Sequence, residues 1–432
     1  MAQFRKSDGT YLPSNNELFE VVMIAGGNAG VTYIPTGNLN TQADAFGRQR
    51  ISQPYTLFDS NFRFSDNTKN WRERLTGTAS STYNSDQGLM GLTIGTASGD
   101  EVVRQSSRIF PYQPGKSLLV MNTFTLAPAE TNLRQRVGYF TKDNGVYLEQ
   151  DDLDVYMVKR SAVSGSIVNT PIAQADWNID KLDGTGPSGV TLDLTKSQIL
   201  WSDFEWLGVG SVRTGFVING QFIPVHIFHH ANEIEGTYIT TASLSCRYEL
   251  TNTGTTSGAT MKQICSTVIS EGGYINTGLT RSASNPITGY GLDENEDNPV
   301  ISLRLRSGRT DAIAVPREIS FYGLQNTAFK YKLIQDATIS GGTWSYTDSA
   351  SSVEYNITAD SAVGGTVIFE SIFKGQATVD PILLQEQFGN ALQLTRDIIE
   401  ADSVGNTFTI TVQPTTNNDD VIASLTWQEQ TS

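Results

Sequence analysis

Three histidines, His226, His229 and His230, fall within five residues, and such a cluster invites a metal centre. On a strand, however, His226 and His230 point to one face and His229 to the other. The Asn219-Gly220 turn just before them argues for a strand, so packing or surface roles are expected. Asp176, Asn178 and Asp180 place oxygen ligands at alternating positions, as calcium loops do. The sixth position of that pattern is Lys181 and the twelfth Pro187, where an EF-hand needs Gly and Glu. Asx-turn caps are the expected role, with calcium at Asp176, Asn178 and Asp180 kept as the minor alternative. No other metal and no cofactor is expected. The acidic run Asp293-Glu294-Asn295-Glu296-Asp297 reads as a solvated loop. Pro114-Gly115-Lys116-Ser117 ends like a phosphate-binding loop, but Phe110 stands where that loop needs glycine, and a tight turn is expected instead.

For catalysis, no Gly-x-Ser-x-Gly elbow is present. Glycosidase carboxylates are paired in space rather than by spacing, so Glu149, Asp151, Asp152 and Asp154 carry no pattern of their own. The expectation is a protein without catalytic residues. An enzyme rival, a polysaccharide depolymerase, would need clustered carboxylates in a groove lined by aromatics such as Trp177, Trp201, Trp206 and Tyr139.

The 432 residues carry 30 Lys and Arg against 45 Asp and Glu, a net charge of −15, which disfavours a phosphate-backbone partner. Nucleic acid is therefore excluded from the expected partners. Hydrophobic residues are 38% and charged residues 17%, so neutral polar residues and glycine fill the rest, as in turn-rich β proteins. Two cysteines, Cys246 and Cys265, cannot build a disulfide framework, and two free buried thiols are expected. No run approaches the roughly 20 apolar residues that span a bilayer, and the start lacks an apolar leader, so no membrane insertion is expected.

The elements that would position any site are strands. Val212, Thr214, Phe216 and Ile218 alternate before Asn219-Gly220, and Phe222, Pro224, His226 and Phe228 alternate after it, the pattern of a hairpin. A second hairpin is expected over 136–148, turning at Asp143-Asn144-Gly145. Further strands are expected at 58–64, 117–126, 153–159, 199–207, 300–305 and 318–322, and helical periodicity is nearly absent. The expected fold class is all-β. It comprises an extended N-terminal arm (1–50), a large jelly-roll-like β-sandwich body (51–330) and a C-terminal immunoglobulin-like β-sandwich (331–432). The arm holds one short apolar patch, too small for a core of its own. Leu18, Phe19, Val21, Val22, Met23 and Ile24, with Arg48 and Arg50, are the expected anchoring residues.

The run Asp44-Ala45-Phe46-Gly47-Arg48-Gln49-Arg50-Ile51-Ser52-Gln53-Pro54-Tyr55-Thr56-Leu57-Phe58-Asp59-Ser60 resembles a segment of virion structural proteins of tailed bacteriophages. So do Arg104-Gln105-Ser106-Ser107-Arg108, Phe110-Pro111-Tyr112-Gln113-Pro114-Gly115-Lys116-Ser117 and Arg136-Val137-Gly138-Tyr139-Phe140. Asp176-Trp177-Asn178-Ile179-Asp180-Lys181-Leu182-Asp183-Gly184-Thr185-Gly186 and Trp206-Leu207-Gly208-Val209-Gly210 are similar to the same family. The resemblance spans about residues 44–275 and implies a non-enzymatic component of the virion, a tail-fibre, minor tail or head-surface protein. It brings no catalytic residue onto this chain. The expected partners are further copies of the chain, as a homotrimer, other virion proteins and a host-surface glycan or receptor. The expected location is the virion, assembled in the host cytoplasm. A carbohydrate-binding module is the alternative, ahead of the depolymerase.

Overall fold

The structure is a computed structural model. It describes residues 19–21, 33–35, 53–206, 210–275, 278–289, 291–309, 312–377, 381–384, 392–395 and 407–430. The chain divides into Met1–Gln53 and Pro54–Ser432. Within the first unit the strand Phe19–Val21 pairs antiparallel with Tyr33–Pro35. Of the expected anchoring residues, Phe19 and Val21 lie on that strand, whereas Leu18, Val22, Met23, Ile24, Arg48 and Arg50 fall outside the described residues.

The second unit is all-β, built from antiparallel sheets. Its first sandwich stacks a seven-stranded on an eight-stranded sheet. The seven-stranded sheet runs Val168–Ala173, Asp154–Ser161, Gly145–Asp151, Leu133–Phe140, Cys246–Asn252, Glu101–Ser106, Trp71–Thr76. The other runs Gln221–Phe228, Val212–Ile218, Gln198–Phe204, Leu118–Thr125, Ala259–Ser270, Leu89–Ile94, Ser80–Asn84, with Tyr55–Asn61 beside the end of Ala259–Ser270. Val137, Val146 and Tyr248 from one sheet meet Leu200, Phe216 and Val268 from the other in a single buried core. Burying such alternate apolar positions is the main stabilising term of a sandwich.

Both expected hairpins are present. Asn219 (φ +53°) and Gly220 (φ +77°) make the two-residue turn, whose left-handed positions suit these residue types. A bulge after Thr214 shifts the register of the return strand, so that Phe216 faces Ile223 while Thr214 faces His226. Phe222 and Pro224 thus lie on the opposite face from His226 and Phe228, not on one face as the alternation suggests. In the other hairpin Phe140 pairs with Gly145.

The second sandwich starts earlier than expected. A five-stranded sheet joins Leu279–Ser284, Asp419–Gln430, Ile313–Gly323 and Ile382–Leu383, with Gly291–Leu292 beside Asp419–Gln430. A six-stranded sheet runs Trp344–Ser345, Val353–Asn356, Asn298–Leu305, Phe408–Pro414, Ala328–Gln335, Thr366–Lys374. Strands from 279–323 therefore pair with strands beyond 400, so a boundary at 330 would cut through both sheets. The sheets change partners instead between Ala259–Ser270 and Leu279–Ser284. Over 392–395 the described chain makes a single bridge, between Leu394 and Ala314. Cys246 and Cys265 are free thiols; Cys246 is buried and Cys265 half-buried. Among the described residues no helix is long and apolar enough to cross a membrane.

Candidate functional site

The strand Gln198–Phe204 sends Leu200 and Phe204 into the core, which turns Trp201 and Asp203 to the outer face of the eight-stranded sheet. Its neighbour Val212–Ile218 buries Val212 and Phe216 and turns Arg213, Gly215 and Val217 outward. Register sets Asp203 directly opposite Arg213, and the guanidinium forms an ion pair with Asp203 Oδ2. The second carboxylate oxygen, Asp203 Oδ1, is buried and has no hydrogen-bond partner among the described residues. Asp203 is only 6% exposed, and a buried acceptor without a donor costs about 1–3 kcal/mol.

This oxygen belongs to a residue that lines a cavity of about 500 Å³ with Tyr112, Gly115, Lys116, Ser117, Glu205, Trp206, Ser211 and Arg213. One wall is the 113–116 turn, closed by the Lys116 N–H donating to the Gln113 carbonyl at 3.1 Å. Gly115 sits there at φ +79°, a conformation that suits glycine. The Pro114-Gly115-Lys116-Ser117 motif is thus a turn before a strand, as expected. Lys116 Nζ donates to Gln113 Oε1 at 2.6 Å, which uses one of its three protons. Tyr112 meets Trp206 edge-to-face at 5.8 Å, and the indole N–H donates to the Ile239 carbonyl at 3.1 Å. The Ser211 N–H donates to Glu205 Oε2 at 3.3 Å. Burial, with Glu205 and Asp203 nearby, raises the Tyr112 hydroxyl pKa above its ordinary value. The cavity therefore combines fixed aromatic edges, two carboxylates and two cations.

The histidines do not converge on a metal. His226 Nδ1 accepts from the Asn178 N–H at 3.4 Å. His230 Nδ1 lies 2.7 Å from the Gly210 carbonyl and its Nε2 3.1 Å from Lys159 Nζ. A carbonyl only accepts and an ammonium only donates, so the ring is neutral with its proton on Nδ1. It stacks on Tyr238 at 4.0 Å and supports the back of the cavity, because the Tyr238 hydroxyl donates to the Glu205 carbonyl at 2.8 Å.

The calcium candidates are engaged with the backbone instead. Asn178 donates to and accepts from the Ile227 main chain, both at 2.9 Å. Asp180 accepts from the N–H groups of Leu182 (2.9 Å) and Ser188 (2.8 Å). Burial opposes its charge, but these hydrogen bonds outweigh that and lower its pKa. Asp176 ends a single 3-10 turn, Gln174–Asp176. Among the described residues no three metal-ligating side chains come together.

The aromatics named as groove walls divide. Trp177 and Tyr139 are core residues, Tyr139 donating to the carbonyls of Phe110 and Ala242. Trp206 lines the cavity, and Trp201 lies buried on the same outer face. Glu149 pairs with Arg136 in the seven-stranded sheet. Sequence reasoning named Trp201, Trp206 and Lys116 but missed Asp203 and Glu205. Their one signal is the alternation of Trp201, Asp203 and Glu205 along a strand.

No family model and no curated protein matches the sequence. Among solved structures, the carbohydrate recognition domain of Emp47p overlaps 49% of this chain and 94% of its own length at 8% identity, TM-score 0.31. A glycoside hydrolase family 16 endo-glucanase from Bacteroides ovatus overlaps 49% of this chain and 99% of its own at 10% identity, TM-score 0.35. The CBM2 module of the evolved Dit of Lactobacillus casei BL23 phage J-1 overlaps 52% of this chain and 100% of its own at 8% identity, TM-score 0.33. This chain is similar to each of these β folds over about half its length.

Proposed function

We propose that this chain is a saccharide-binding protein without catalysis, and that its site is the cavity around Asp203. The observation that carries the reading is Asp203 Oδ1, a buried acceptor without a donor among the described residues, on a residue that lines the cavity. A sugar hydroxyl supplies that donor. The Arg213 side chain, 57% exposed, has N–H groups to spare for a neighbouring hydroxyl, and a diol matches an Asp–Arg pair in this way. Tyr112 and Trp206 offer the apolar surface that sugar C–H groups need, as ligand sites commonly do. Passing the purified chain over immobilised host-surface glycans tests the reading. Retention that falls at least tenfold in Asp203→Asn, with no reducing ends released, is expected. Retention unchanged in that variant removes the site, and release of reducing ends favours the depolymerase.

A second reading, compatible with the first, is a non-enzymatic component of a tailed-phage particle. Two segments that carry the virion resemblance, 110–117 and 206–210, contribute Tyr112, Lys116 and Trp206 to this one cavity although about ninety residues apart. In this reading the chain is a homotrimer anchored by residues 1–50, and the cavity meets the host glycan. Deleting residues 1–50 should leave a folded body that no longer joins particles; normal incorporation would remove the anchoring role.

A further inference from the structure

We infer that the saccharide site continues along the outer face of the eight-stranded sheet from Asp203 to Phe222, so that it takes a chain of sugars rather than a single ring. The inference rests on the saccharide reading above and adds the length and path of the ligand. Register places Asp203 opposite Arg213, and Val217, four residues along that strand, opposite Phe222. Phe222 is thus four residues along and two strands across from Asp203, a separation of about 16 Å at ordinary strand rise and spacing. One pyranose cannot touch both.

Between these ends the outward residues Ile199, Trp201, Gly215, Val217 and Pro224 carry no charge. The face is kept low on purpose at Gly215. A Cβ there would stand 2.8 Å from Trp201 Cζ2 and 2.1 Å from the Ile223 carbonyl. The indole fills that space and donates to the Phe216 carbonyl at 3.3 Å. Phe222 leans on it, ring centroids 5.6 Å apart, yet remains 53% exposed. A large apolar ring held in place and open to solvent is the feature an aromatic sugar platform needs. The two-residue Asn219-Gly220 turn is what delivers it, because it sets Phe222 opposite Val217, on the same face as Arg213 and its partner Asp203.

The test is equilibrium binding of the full chain to mono-, di-, tetra- and hexasaccharides of glucose, galactose and mannose. At least one series should show affinity rising about tenfold or more between one and four units, or about 1.4 kcal/mol. In that series Phe222→Ala should reduce hexasaccharide affinity to near the monosaccharide value and leave monosaccharide binding unchanged. Phe222→Tyr, which keeps the ring, should bind as the parent does. Affinity independent of length overturns the extension while sparing the cavity, and so does equal weakening of short and long ligands by Phe222→Ala. Failure of the parent chain to bind any of the sugars overturns the reading beneath it.

Discussion

Arg213 neutralises one oxygen of Asp203 from the adjacent strand and leaves the other without a partner among the described residues. The pair is asymmetric: Asp203 is buried and the Arg213 side chain mostly in solvent. Arg213→Ala should therefore strand a buried carboxylate and destabilise the fold by about 1–3 kcal/mol. Adding Asp203→Asn to that variant should recover most of the loss. A double-mutant cycle by urea denaturation measures the coupling; independent effects would show that the ion pair does not hold the carboxylate.

Glu249 offers a stronger case. Its carboxylate accepts from Arg136 Nη1 at 3.1 Å and from Arg247 Nε at 2.7 Å, all three side chains nearly buried on the seven-stranded sheet. Burial alone would raise its pKa, but Arg247 and Arg136 outweigh that and hold it at about 2. A depressed carboxylate contributes stability above its unfolded value and loses it as pH falls toward the folded one. Glu249→Gln should cost about 3–5 kcal/mol at pH 7, because the buried Arg247 guanidinium loses its carboxylate partner and Arg136 is left with Glu149 alone. The loss, read as a drop in Tm, should shrink as pH falls from about 4.5 toward 2.

The histidine on the return strand of the Asn219-Gly220 hairpin should report in the opposite range. Burial, with a smaller contribution from His229, lowers the His226 pKa to about 4. Between about pH 6.5 and 4 the unfolded chain takes up a proton that the folded chain refuses, so stability falls as pH drops through that window. Below about 4 this contribution levels off. In His226→Asn, whose Oδ1 can still accept from the Asn178 N–H, the difference in Tm between pH 7 and pH 4.5 should be smaller than in the parent. Parallel curves would show that His226 does not titrate differently on unfolding.

Gln263 should behave as an improvable position. Both its Oε1 and Nε2 are buried without partners among the described residues, on the strand Ala259–Ser270 where its register breaks. Gln263→Met keeps the length and removes the polar atoms, and a gain of about 1 kcal/mol or more is expected by denaturation. A loss would mean that the amide is satisfied in solution.

The histidine hairpin and the Gln263 strand show what the sequence can and cannot reveal. Asn219-Gly220 is legible because the turn conformation restricts the residue types that fit it. The bulge four residues away is not, since it arises from how two strands pair and leaves the local alternation of Val212, Thr214 and Phe216 intact. The pocket aromatics attract notice as residue types, whereas Asp203 resembles any other acid of an acidic chain until Arg213 is placed opposite it. The limit at 330 misleads for a similar reason. Asn298–Leu305 and Phe408–Pro414 are adjacent in space though about a hundred residues apart along the chain, and no turn signal announces such a partnership.

Asp419–Gln430 lies between Leu279–Ser284 and Ile313–Gly323, in the interior of its sheet. During synthesis those two flanks emerge about a hundred residues or more ahead of the strand that must join them. Until it arrives, their inner edges stand unbonded and sticky, and assembly of this half of the protein waits on a late, long-range closure. A ribosome that stalls before residue 419 releases a chain with a ready first sandwich and an aggregation-prone remainder.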